Sequence, residues 1–230
     1  MRNIVKGLMV ASLVVSSGAF ADNMYVSIGG GMGKISTVTS TRDFPLLNKS
    51  PGLTPTDINS VKLFFKNSKN IVGAIGYQFG DVRTELAINS LKANYKKFSQ
   101  DAIYYFPSDY LSGKVAVNSV FLNGYYDFNL NEVLTPYIGA GVGMAKIKNT
   151  LYHYGLHSYI NGVWTALSTF KADMSQTLPA YQLIAGTKIN LTGQLSLTAD
   201  YRFFSTVNTI KALNNRLKNH SVNVGLMFGF

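Results

Sequence analysis

The sequence predicts an all-β chain: an eight-stranded antiparallel transmembrane β-barrel with short periplasmic turns and long extracellular loops. Three observations predict it. Apolar residues alternate with small or polar ones at period two in one segment after another, the signature of strands with one greasy face. Beyond the N-terminal region no segment offers the ~18 consecutive apolar residues of a membrane-crossing helix. The face opposite the apolar one is rich in glycine and alanine with few charges, whereas a water-exposed sheet face would carry many Lys and Glu.

Taken in order, Arg2 and Lys6 precede an apolar run from Gly7 to Val15, and Ala19-Phe20-Ala21 has the A-x-A form of a cleavage site. Residues 1–21 therefore read as a secretory signal and residues 22–230 as one barrel domain. Met24 to about Ile35 is the first strand, with Met24, Val26 and Ile28 on one face and Tyr25, Ser27, Gly29, Gly31 and Gly33 on the other. A long loop follows from about Ser36 to Ser60, broken by Pro45, Pro51 and Pro55. The second strand is clearest at Ile71, Gly73, Ile75, Tyr77 and Phe79, and Gly80-Asp81-Val82 is a tight turn. The third runs from Arg83 to about Phe98, with Leu86 and Ile88 outward against Arg83, Glu85, Ala87 and Asn89. Gln100 to Gly113 is the second loop.

The fourth strand, Lys114 to Phe128, has Val120, Leu122, Tyr126 and Phe128 outward and Asn123, Tyr125 and Asp127 inward; Asn129 to Glu132 is a short turn. In the fifth, about Thr135 to Lys146, Ile138, Ala140, Val142 and Met144 alternate with Gly139, Gly141 and Gly143. The third loop, about Lys148 to Ala172, has a Tyr- and His-rich stretch, Leu151 to Tyr159, suited to hairpin extensions. The sixth strand covers about Ser175 to Ile189, Asn190 to Gly193 is a turn, and the seventh runs from Gln194 to about Ser205. A basic loop from about Thr206 to Asn219 leads to the closing strand, with Val222, Val224, Leu226, Phe228 and Phe230 on one face. An even strand count with short turns at one end places both termini on the periplasmic side. Eight strands leave an interior just wide enough for side chains. The structural rival is a soluble lipocalin-like binding barrel, which would turn its apolar face inward.

Charge and chemistry narrow the function. The formal net charge is +10, and loss of Arg2 and Lys6 with the signal, which contains no acid, leaves +8. Arg83, Glu85, Asp127, Asp200 and Arg202 fall on the inward face. An unpaired charge in a narrow interior is costly, so acidic–basic pairing with trapped water is expected of these five. Arg42, Lys49, Lys62, Lys66, Lys211, Arg216 and Lys218 fall in the long loops as candidate polyanion contacts, since a positive rim attracts lipopolysaccharide phosphates or other polyanions. The simpler reading, preferred here, is that they neutralise an anionic outer leaflet. Nucleic acid is not an expected partner of an exported barrel. The chain has no cysteine, which excludes disulfides, thiolate chemistry and cysteine-type zinc sites.

No cofactor or metal is expected. His153 and His157 are two loop imidazoles without a third ligand, and Gly139 to Gly143 lacks the spacing and following helix of a nucleotide loop. A hydrolytic or acyltransfer site at His153, His157 or His220, with Asp173, Asp109 or Ser221, would need a base held by an orienting carboxylate, and no local signature marks one. The expectation is a non-enzymatic protein. Leu63-Phe64-Phe65 reads as part of an interfacial aromatic belt, with an exposed adhesive patch as the sharper alternative.

Two resemblances add to this. Asn223-x-Gly225-x-x-Phe228-x-Phe230 resembles the C-terminal insertion signal of bacterial outer-membrane barrels, which implies the barrel-assembly machinery as a partner and these four residues as what it reads. Thr135-Pro136-Tyr137-Ile138-Gly139-Ala140-Gly141-Val142-Gly143 resembles a signature run of Opa-like and OmpA-like surface antigens, including the major surface antigens of intracellular bacteria. The stretches Ala180 to Gly186, Leu197 to Phe204 and Arg83 to Leu86 are similar to other strands of that family. The resemblance implies an outer-membrane location with loops facing the exterior, contacts with outer-membrane lipid and lipopolysaccharide, and a surface-antigen role in envelope integrity. Adhesion to host surface molecules is a further role it implies; a narrow porin-like pore or a barrel-embedded hydrolase or acyltransferase are the alternatives. The resemblance lies in the strands and places none of the loops.

Overall fold

The computed structural model describes residues 23–41, 58–102, 111–131, 133–153, 157–160, 163–166, 170–211 and 213–230. The strands are β1 (Met24–Ile35), β2 (Val38–Thr41), β3 (Ile58–Phe65), β4 (Ser68–Phe79), β5 (Val82–Ala102), β6 (Leu111–Asp127), β7 (Leu134–His153), β8 (His157–Ile160), β9 (Val163–Ala166), β10 (Phe170–Asn190), β11 (Leu195–Thr206) and β12 (Lys218–Gly229). Eight of them close a barrel of antiparallel neighbours in the order β1, β4, β5, β6, β7, β10, β11, β12, with β12 returning to β1. Closure leaves no edge, so every strand finds hydrogen-bond partners within the wall, as a membrane requires.

The lower part of the wall is apolar outside. Ile28 and Met32 on β1, Ile71 on β4, Leu86 and Ile88 on β5, Val120 and Leu122 on β6, Val142 on β7, Leu183 on β10 and Val222, Val224 and Leu226 on β12 are all exposed. A lipocalin-like soluble barrel would bury this face, and that reading is overturned. Below the belt, aromatic pairs form a girdle beside the short turns: Tyr77 with Phe79 (centroids 4.4 Å apart), Tyr126 with Phe128 (5.0 Å) and Phe228 with Phe230 (5.3 Å). Amphipathic rings at that level mark a membrane–water interface.

Above the belt the polarity of the wall inverts without any change of strand parity. On β5 the outward positions pass from Leu86 and Ile88 to Lys92, Asn94 and Lys96, while the inward ones pass from Glu85 to Leu91, Ala93 and Tyr95. β6 and β7 do the same: Lys114 lies outside Val115 and Val117, and Lys146 outside Ala145 and Ile147. The result is an apolar core enclosed by the upper barrel, which contains Ile35, Leu63, Leu91, Val117, Phe121, Ile147, Leu178 and Phe204. Water rather than lipid surrounds this part of the wall, so the hydrophobic effect drives apolar groups inward.

The strands accordingly run further than the sequence suggests. The expected first loop contains β2 and the start of β3, which continue β1 and β4 upward; β3 pairs with the top of β5, and Lys66 N–H donates to the Asn94 carbonyl across the interruption between β3 and β4. β7 and β10 stay paired as far as His153 and Phe170, and β8 and β9 form the hairpin expected within the third loop. Leu63 and Phe65 are not an exposed aromatic patch. Both are buried, because β3 stands in water and turns its apolar side into the barrel, where Phe65 meets Tyr95 at 5.2 Å. Phe64 points the other way and is half-buried.

Among the described residues the raised wall is missing only between β2 and β10, above the shorter β11 and β12, and the fourth loop fills the gap. Its Ile210, Leu213 and Leu217 are fully buried in the core. Lys211 N–H donates to Gln176 Oε1 (2.9 Å) on β10, and Asn215 Nδ2 donates to the Thr39 carbonyl (3.2 Å) on β2. The expected basic loop is a cap.

Candidate functional site: barrel interior and outer rim

The lower interior is polar and tightly bonded. Arg83 on β5 and Asp127 at the end of β6 form an ion pair with Nε 2.9 Å from the carboxylate, both side chains at most 2% exposed. Lys188 Nζ (3.4 Å) and Gln78 Nε2 (3.3 Å) reach the same carboxylate from the side of the short turns. On the opposite wall Arg202 Nη2 donates to Asp200 Oδ2 (3.1 Å) and Asn223 Nδ2 to Asp200 Oδ1 (2.8 Å). Among the described residues Glu85 has no ion-pair partner; it accepts from Asn123 Nδ2 (2.9 Å) and from the hydroxyls of Tyr125 (3.0 Å) and Tyr25 (3.3 Å). Gln182 Nε2 extends the chain by donating to Asn123 Oδ1 (2.6 Å). A cavity of about 30 Å³ lies among Arg83, Glu85, Asp200 and Arg202, room for about two waters.

The five charged positions named from the sequence thus lie in one interior layer, four as two ion pairs and the fifth held by neutral donors. The tyrosines were not singled out. Arg83 sits 4.6 Å from the Tyr125 ring centroid, 4.8 Å from Tyr137 and 5.7 Å from Tyr25, a cation enclosed by three π faces. Each of these rings lies over a glycine directly opposite on the next strand: Tyr25 over Gly76, Tyr125 over Gly139, Tyr137 over Gly186. A Cβ on Gly186 would come within 2.8 Å of the Tyr137 ring, and one on Gly76 or Gly139 would overlap the ring outright. The inward glycines are slots for tyrosines. The alternation of Tyr and Gly was visible in the sequence; which glycine faces which ring needed the register.

Residues of the C-terminal motif divide by face. Asn223 is buried in the polar layer and bonded to Asp200, Gly225 lies against Gly29 of β1, and Phe228 and Phe230 point outward in the lower girdle. Of the candidate polyanion contacts, Lys62, Lys66, Lys211, Arg216 and Lys218 are exposed, with Lys62 on β3 and Lys218 on β12 rather than in loops; Arg42 and Lys49 lie outside the described residues. The exposed His220 is held through Nδ1 by the Tyr201 hydroxyl (2.6 Å) on the outer wall. His153 ends β7 and His157 begins β8.

Comparison with known proteins matches residues 75–230 to the family described as "Opacity family porin protein". The chain belongs to this family. The Opacity-family barrel is 26% identical over 188 residues to a protein of Rickettsia conorii named "Putative adhesin RC1281", covering 74% of this chain and 72% of that one. It is 31% identical over 141 residues to the outer membrane protein PagN of Salmonella typhimurium, covering 57% and 55% of the two chains. Among solved structures, neisserial surface protein A superposes with a TM-score of 0.52 at 18% identity, over 90% of this chain and 97% of that one; at that identity the likeness is one of fold. The Opacity-family barrel is a surface protein of the bacterial outer membrane.

Proposed function

We propose that this barrel is a non-enzymatic adhesin, a rigid pedestal that holds its extracellular face clear of the membrane for contact with host surface molecules. The observation that carries the reading is the upper wall with its inverted polarity. A protein serving only to span the membrane has no use for a second, apolar core above the belt, sealed by the fourth loop. One relative named "Putative adhesin" and one named an outer membrane protein support the same reading. So does the exterior of the pedestal, where exposed lysines far outnumber acids among the described residues. Under this proposal residues 1–21 are removed on export, Asn223, Gly225, Phe228 and Phe230 present the last strand to the assembly machinery, and both termini face the periplasm. The interior layer of Arg83, Glu85, Asp127, Asp200 and Arg202 keeps the lower lumen closed, and the apolar core closes it again above.

The test is expression in the outer membrane of a non-adherent bacterium and counting of cells bound to cultured host cells. Binding above the empty-vector strain is expected, abolished by proteolytic shaving that leaves the barrel band intact. Binding equal to the control would reject adhesion. Discrete conductance steps from the purified protein in a planar bilayer would instead favour a pore.

A further inference from the structure

Where the outer wall changes polarity, three lysines stand together directly over the apolar belt. On β1 Lys34 follows Met32, on β4 Lys69 precedes Ile71, and on β5 Lys92 lies above Ile88, all six exposed. The register brings them into one patch. Lys69 is the direct cross-strand partner of Lys92, and Met32 is that of Lys69, which sets Lys34 diagonally above. Like charges directly opposite on one sheet face destabilise the pair, and among the described residues none of the three has an ion-pair partner. Among the described residues nothing offsets this charge, which leaves the patch open to an anion from outside the chain.

The level of the patch says what kind of anion that is. Immediately below it the wall is lipid-facing, and there the side chains thin out: Gly30 on β1 and Gly73 on β4 both face outward, between Ile28, Ile71 and Met32. A Cβ at Gly30 would meet nothing nearer than 3.5 Å and one at Gly73 nothing nearer than 3.8 Å, so neither position is closed by packing. A cationic cluster over a shallow apolar trough fits a ligand with anionic groups above and hydrocarbon below. We infer that Lys34, Lys69 and Lys92 bind the phosphates of an outer-leaflet glycolipid whose acyl chain lies in the Gly30–Gly73 trough. This ligand belongs to the membrane and is separate from any host molecule bound at the top of the pedestal. The inference rests on the proposed orientation, with the upper wall facing the exterior. Lys34 and Lys92 escaped the sequence reading because they lie within strands, not loops.

The experiment uses the full mature chain in phosphatidylcholine nanodiscs, titrated with bisphosphorylated lipid A, the same lipid without phosphates, and a soluble sulfated polysaccharide. Each lysine near a charged lipid surface is worth about 5-fold in binding. The variant K34Q/K69Q/K92Q is therefore expected to bind bisphosphorylated lipid A about 100-fold more weakly than the parent, while K34R/K69R/K92R binds within a few-fold of it. K96Q/K114Q/K171Q, which removes equal charge higher on the wall, is also expected to bind within a few-fold. Equal affinity of the parent and K34Q/K69Q/K92Q, or equal affinity for the dephosphorylated lipid, would overturn the inference. So would competition by the soluble polysaccharide through the same three lysines, which would make the patch a site for free polyanions. Host-cell binding by K34Q/K69Q/K92Q is measured in parallel: adhesion kept with lipid binding lost supports both readings, and wild-type adhesion absent with lipid binding kept rejects adhesion alone.

Discussion

Asp127→Asn tests the interior layer most directly, because it keeps the shape of the side chain and removes its charge. The carboxylate takes Arg83 Nε at 2.9 Å, Gln78 Nε2 at 3.3 Å and Lys188 Nζ at 3.4 Å. Two unit charges that close attract by about 6 kcal/mol at an effective dielectric constant of about 20, and several kcal/mol of this is offset by desolvating the two ions. Removing one partner leaves the other ion desolvated and uncompensated, at a cost of about 3–5 kcal/mol. The value expected here is the lower end, about 3 kcal/mol, because the Tyr125 and Tyr137 rings still face the guanidinium. Arg83→Met leaves Asp127 its Lys188 partner and should cost less, about 2 kcal/mol. In the double variant both charges are gone, so the total should fall short of the sum of the singles by more than about 1 kcal/mol. The assay is urea unfolding of the refolded barrel in phospholipid vesicles, followed by the gel shift between folded and boiled forms. A cost below about 1 kcal/mol for Asp127→Asn, or costs that simply add, would refute the argument that this pair is an electrostatic unit.

Three other outcomes are expected. Phe121→Ala should cost about 3–5 kcal/mol in the same assay, since Phe121 is fully buried and edge-on to Phe204 at 6.0 Å; an unchanged midpoint would mean the upper core is not packed as described. Gly139→Val should destabilise by about 1–3 kcal/mol by driving Tyr125 from its slot and breaking its 3.0 Å bond to Glu85, whereas Gly80→Asn, at a turn glycine with φ of 59° and open space around it, should change little. Deleting Phe230, an exposed girdle residue, should lower the amount assembled in cells while leaving refolding into synthetic vesicles near wild type; equal loss in both would make the residue a stability element and not a recognition signal.

Much of the lower barrel was legible because period two is a local property. Each strand's parity is written in its own residues, so the outward positions of Leu86, Leu122, Val142 and Val224 and the inward ones of Arg83, Asp127 and Asn223 follow from alternation and the turns alone. The upper barrel was misread for a physical reason. There Lys148 on β7 and Lys171 on β10 point outward, beyond the ends expected of the fifth and sixth strands, and polar alternation of this kind looks like loop when one solvent is assumed throughout. The chain crosses from lipid into water within single strands, and the same parity then calls for opposite chemistry on each face.

What the sequence by itself determined is the strand and its two faces. What only the tertiary structure decided is which residues share a level. Register put Tyr125 over Gly139 and Lys69 opposite Lys92, and closure gathered Tyr25, Tyr125 and Tyr137 from three strands around the Arg83 cation. It also brought Ile210, Leu213 and Leu217 under the gap between β2 and β10. Contacts of this kind depend on the stagger of neighbouring strands, which no single segment encodes and which is settled when the wall closes on itself.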